Sequence, residues 1–91
     1  MTVVFVLEIA TEKLRGTLTR WMIEPKPGVF VGSLNALVRD KLWEMIPDHA
    51  PKGALMIYSC NNEQGYRMEI YGIPTRSIAD LDGLQLIKIQ Q

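Results

Sequence analysis

Cysteine and histidine each occur once in the 91 residues. Cys60 has no partner for an intramolecular disulfide, and Cys60 with His49 falls short of the four ligands of a structural zinc site. An excess of one charge is also missing, because ten Lys plus Arg offset ten Asp plus Glu. That excludes a general polycation for nucleic acid and leaves room for a local basic face. No run approaches the roughly 18 apolar residues of a membrane span. The apolar run over residues 3–7 lacks a basic stretch before it and is too short for a secretory signal, so a cytoplasmic protein is expected. A phosphate-cradling P-loop and a dinucleotide glycine fingerprint are absent. The strand aromatics that read RNA sequence are missing too.

What is present reads as one ordinary folded domain over residues 1–91. Hydrophobic residues make up 47% and charged residues 22%, close to the usage of soluble domains. The β-branched run over residues 3–7 predicts a central strand buried on both faces. Thr11 caps a helix expected over residues 11–24, with Leu14, Leu18 and Trp21 on its apolar stripe and Pro25 and Pro27 ending it. Residues 28–32 read as a second strand between glycines. Ser33 then caps a second helix whose stripe is Leu34, Leu37, Val38, Leu42, Met45 and Ile46, stopped by Pro47. A strand over residues 54–60, a hairpin loop over 61–65 and a paired strand over 66–72 follow. After a loop containing Pro74, Leu84–Ile89 forms a terminal strand free to pair with another chain. The order β-α-β-α-β-β-β predicts an α+β, ferredoxin-like sandwich with both helices on one face of an antiparallel sheet.

The residues able to carry chemistry are few. Glu8 stands where the first strand ends, a place suited to holding a divalent cation such as Mg²⁺ if a two-fold axis supplies a second carboxylate. A solvated strand end explains the same residue. Charge is segregated along the chain. Lys13, Arg15, Arg20, Lys26, Arg39 and Lys41 face only Glu24 and Asp40 between residues 13 and 41, whereas residues 44–82 carry a net acidic charge. Lys13 and Arg20 share one face of the first helix with Thr17, a pattern that suits phosphate oxygens or simply a solvated surface. Gly16 inside that helix is either a close-approach position or a tolerated defect of about 1 kcal/mol. Lys41 falls within the apolar stripe of the second helix, where it snorkels, faces a partner or meets a phosphate. Trp21 and Trp43 fit core or interface packing. Cys60 fits a small buried hydrophobe, and His49 has no triad partner at motif spacing.

Several segments together resemble CRISPR-associated protein 2 in its type I-E form. They are Val6-Leu7-Glu8, Leu14-Arg15-Gly16, Pro27-Gly28-Val29-Phe30-Val31-Gly32, Val38-Arg39 with Trp43-Glu44, and Asp80-Leu81-Asp82-Gly83-Leu84. The resemblance implies a ferredoxin-like homodimer between two dimers of an integrase subunit, holding short foreign duplex DNA by its backbone during spacer acquisition. It implies DNA contacts at Lys13, Arg15, Arg76 and Arg39. It implies docking of the integrase subunit by Glu63, Asp82 and the terminal strand with Leu84, Leu86 and Ile89. This chain has Thr75-Arg76 where close relatives have two arginines, and Leu37 where they have a lysine. Other branches of that family carry an aspartate at the end of the first strand and are classed as metal-dependent endonucleases or endoribonucleases. The expected function is thus a DNA-binding scaffold that needs no catalysis of its own. The alternative is a Mg²⁺-dependent endonuclease with Glu8 as catalytic and metal-binding residue. A small-molecule regulatory domain is a third reading, for which no pocket motif speaks.

Overall fold

Alternation along the first strand sets the architecture. In the computed structural model, which describes residues 1–73 and 75–89, β1 (Thr2–Leu7) buries Val3, Phe5 and Leu7 while Val4 is half-buried and Val6 is 36% exposed. The strand is therefore covered on one face, not on both as its unbroken apolar run suggests. The loop residue Pro74 lies outside the described residues.

Helix α1 (Glu12–Trp21) starts where expected, with the Thr11 hydroxyl oxygen accepting from the Leu14 N–H at 3.2 Å. It ends three residues early. The chain turns extended at Met22 and runs on as β2 (Ile23–Lys26), which pairs with β3 (Val29–Ser33). Pro25 breaks the helix yet is tolerated in β2, because β2 is the edge of the sheet. The buried stripe is Leu14, Leu18 and Met22, and Trp21 points outward at 53% exposure. The helix end crosses β3 so closely that a Cβ on Gly32 would stand 2.8 Å from the Trp21 carbonyl oxygen. Gly16 shows no such constraint, since a Cβ there meets nothing of this chain within 4 Å.

The second helix, α2 (Ala36–Glu44), is capped by Asn35 and not by Ser33, which remains in β3. Asn35 Oδ1 accepts from the Val38 N–H at 2.9 Å. A one-turn helix α3 (Ile46–His49) follows, with Pro47 in its first turn, so this proline starts a new turn where the sequence suggested a loop. Leu42 and Ile46 are buried, Val38, Trp43 and Met45 pack beside them, and Leu37 and Lys41 face out. Lys41 thus sits just off the stripe. Trp43 packs against Phe5 with ring centroids 6.0 Å apart.

With β4 (Ala54–Ser59) and β5 (Tyr66–Tyr71) the sheet has the antiparallel order β2-β3-β1-β4-β5. The α1 crossover from β1 to β2 skips one strand position, and so does the α2–α3 crossover from β3 to β4. That is the ferredoxin-like, split β-α-β arrangement, extended at one edge by β5. Phe5, Phe30, Leu14, Leu18, Ile46 and Met56 fill the space between the sheet and its helices. Cys60 is a half-buried free thiol just past β4.

Residues 76–81, to which the sequence pattern assigned no element, form β6 (Arg76–Leu81) and pair with β7 (Leu84–Ile89) as a separate two-stranded ribbon. Asp82 (φ 53°) and Gly83 (φ 83°) make a two-residue turn with both residues left-handed, and Asp80 Oδ1 accepts from the Gly83 N–H. Leu84 and Leu86 share one face of the ribbon, and Ile89 lies on the other. Side-chain amides join the ribbon to the body. Gln85 Oε1 accepts from the Met68 N–H at 2.6 Å, and Gln64 reaches the backbone N–H and C=O of Gln85 at 2.8 and 2.7 Å. No helix among the described residues is long and apolar enough to cross a membrane.

Candidate nucleic-acid interface

Sheet register gathers the charged residues. Val6 pairs with Val29, Leu7 with Ala54, and Ala54 with Tyr71. The end of β1, the β2–β3 turn, the loop into β4 and the exit of β5 therefore meet at one end of the sheet. They line an open cleft containing Glu8, Arg15, Lys26, Lys52 and Arg76. Four cations and one carboxylate are thus among its lining residues.

Glycine lets the chain close this end. The Leu7 N–H donates to the Gly28 carbonyl at 2.8 Å, and Gly28 has φ 82°. A Cβ on Gly28 would lie 2.1 Å from the Leu7 carbonyl oxygen. Lys26 and Lys52 are set beside such turns, in Lys26-Pro27-Gly28 and Pro51-Lys52-Gly53.

Arg15 is the best-anchored cation. One terminal nitrogen lies 2.5 Å from Glu24 Oε2, and the guanidinium stands over the Phe30 ring, 5.8 Å from its centroid. The same Glu24 oxygen accepts from the Gly28 N–H at 3.0 Å. These bonds, first the one from Gly28 and then the one from Arg15, hold the Glu24 carboxyl below the ordinary carboxylate range.

The remaining predicted residues are dispersed. Lys13 is exposed on α1 outside the cleft lining, and Arg20 lies beside Trp21 and Ile23 in a different shallow groove. The Thr17 hydroxyl donates to the Lys13 carbonyl at 2.8 Å, so it is committed within the helix. Arg39 stacks over Tyr58 at 4.1 Å and binds Asp40 at 2.9 Å, with its side chain 15% exposed. Arg39 therefore packs α2 to the sheet and is not part of the cleft. Glu63 lies in the loop ahead of β5, where the neighbouring Gln64 binds the backbone of Gln85. Asp82 forms the ribbon's turn. His49 Nδ1 is 2.9 Å from the Thr11 hydroxyl, so it braces the α1 cap.

Sequence reasoning counted Lys26 in the basic half but did not place it at a site, and it did not single out Lys52. The signal available was the repeated lysine-proline-glycine composition of two turns, which carries weight only once both turns share a sheet end.

One copy of the chain offers a divalent cation a single carboxylate, so a Mg²⁺ site would need the Glu8 of a second copy. Glu8 is the one carboxylate lining the cleft, and its neighbours there are cations. Among the described residues no three His, Cys, Asp or Glu side chains gather closely enough to hold a metal. What the cleft can do is attract oxyanions spaced along a backbone.

Comparison with known families agrees with this architecture over nearly its whole length. The family model described as CRISPR-associated protein (Cas_Cas2CT1978) matches residues 1–86. The chain therefore belongs to this Cas2-type family of CRISPR-associated proteins.

Proposed function

We propose that this protein is a sequence-independent DNA-binding scaffold of CRISPR spacer acquisition, a homodimer that bridges two dimers of an integrase subunit. The observation that carries the reading is the cleft in which Arg15, Lys26, Lys52 and Arg76 converge in a chain of zero net charge. Backbone contacts position a duplex without reading it, as a protein that accepts any foreign sequence requires. Lys13, exposed on the other flank of α1 from Arg15, is a second cation through which this helix would meet phosphate.

Two further surfaces support the assembly. The helix-free side of the sheet presents Val4, Val6, Val29, Val31, Leu55 and Ile57, and β1, β3 and β4 put no charged side chain on it. Such a face suits a second copy in an isologous contact. The ribbon's Leu84 and Leu86, its Ile89 on the opposite face, and Glu63 and Asp82 are assigned to the integrase subunit.

The reading gives Glu8 no metal and no catalytic step. Its test is duplex binding by Lys13→Ala/Arg15→Ala at several salt concentrations. Affinity should fall alike for unrelated sequences, and the salt slope should flatten by about one for each phosphate no longer neutralised. Unchanged affinity removes α1 from the DNA path. Mg²⁺-dependent cleavage that disappears in Glu8→Ala would replace the scaffold by a nuclease.

A further inference from the structure

Arg15 is held from behind. Its side chain is 42% exposed and that of Glu24 is 21% exposed, so one terminal nitrogen is held by the carboxylate while part of the guanidinium remains open to solvent. Glu24 is itself fixed by the Gly28 N–H in a turn bonded to the end of β1, just ahead of Glu8. Phe30 supports the guanidinium from the sheet side. A flexible arginine therefore becomes a rigid donor at the mouth of the cleft, and less side-chain entropy is lost when it meets a phosphate.

We infer that Glu24 is a positioning residue for anion binding, acting through Arg15 and not by touching DNA itself. This rests on the DNA-binding reading above. It predicts the opposite sign from simple electrostatics. Glu24→Gln removes a negative charge beside a phosphate path, and charge alone says that affinity should rise. Positioning says that it should fall. Gln retains an acceptor for the Gly28 N–H, so the turn is preserved, but it loses the charged grip on Arg15.

The experiment measures binding of a short labelled duplex by fluorescence anisotropy for the intact protein, Glu24→Gln, Arg15→Ala, Arg15→Lys and Arg15→Ala/Glu24→Gln. Thermal melts confirm that each variant is folded. Expected is a loss of about threefold or more for Glu24→Gln, the lower end of coupling between residues in contact. No further loss should appear when the same change is made in the Arg15→Ala background, a result a general structural defect would not give. Arg15→Lys keeps the charge without the planar fork and should weaken binding to a similar degree. Equal or tighter binding by Glu24→Gln, with Arg15→Ala weakened, overturns the positioning role and leaves the DNA reading intact. If Arg15→Ala binds as well as the intact protein, there is nothing to position, and the place of Arg15 in the DNA path fails with it.

Discussion

The five-stranded body and the β6–β7 ribbon are built from similarly apolar strands, yet all fourteen buried hydrophobic residues among those described belong to the body. The ribbon contributes none. Leu81, Leu84, Leu86, Ile87 and Ile89 are each at least 39% exposed. In the body, two helices cover every second residue of the strands. In the ribbon, Ser77, Ile78, Ala79 and Gln85 are half-buried and the other described side chains lie in water, and an isolated two-stranded hairpin is marginal at best. Apolar character thus marks a core in one region and an exposed surface in the other.

The sharpest way to break this contrast is to truncate one leucine from each region. Leu18→Ala should cost the body about 2–5 kcal/mol, whereas Leu86→Ala should stay within about 0.5 kcal/mol, both read from urea unfolding of the protein alone. Equal losses would show that the ribbon shares the core's stability. The open side of the sheet belongs to the body yet, like the ribbon, leaves apolar side chains exposed or half-buried. Val6→Asp should therefore weaken self-association by at least about thirtyfold, a hot-spot-sized effect, with circular dichroism unchanged. Light scattering checks it, and a variant of unaltered mass would remove that face from the contact. The smallest effect separates the two regions by pH. Glu24 is held below its ordinary range, so its stabilisation is present above a pH of about 4.3 and is lost as pH falls through its native value. The ribbon's links to the body are neutral amides that do not titrate. Acid should destabilise the body of the intact protein more than that of Glu24→Gln, measured by unfolding midpoints between neutral and acid pH.

Much of the body was legible in the sequence, because hydrophobic period and capping residues are local signals. Residues 3–7, 54–60 and 66–72, the Thr11 cap and the ferredoxin-like fold class all followed from them, though the predicted order lacked β2, α3 and β6. The failures have one physical source, which is that partners distant in sequence decide the outcome. Residues 23–26 looked like the tail of α1, but pairing with β3 made them a strand. Ser33 and Asn35 are both good caps, and the pairing of Ser33 with Thr2 left the capping to Asn35. In residues 76–81 the Asp82-Gly83 turn was a readable hairpin signal that went unused. Of the proposed DNA residues, Arg15 and Arg76 line the cleft with Glu8, while Arg39, the weaker candidate in the sequence, is occupied by Tyr58 and Asp40. Lys26 and Lys52 could not be grouped before the register brought their turns together.

The reciprocal amides of Gln64 and Gln85 have a consequence for exchange. Each side chain applies one N–H and its carbonyl oxygen to a neighbouring backbone, the same pair that a peptide group presents along a strand. Gln85 therefore occupies the outer edge of β5 at Met68 as a single residue of a visiting strand would. Any extended segment that took its place could return both bonds at Met68, so the swap would carry no net loss of hydrogen bonds there. A side chain thus covers the β5 edge at Met68 in place of a paired strand, one way in which a sheet edge is kept from pairing with another chain.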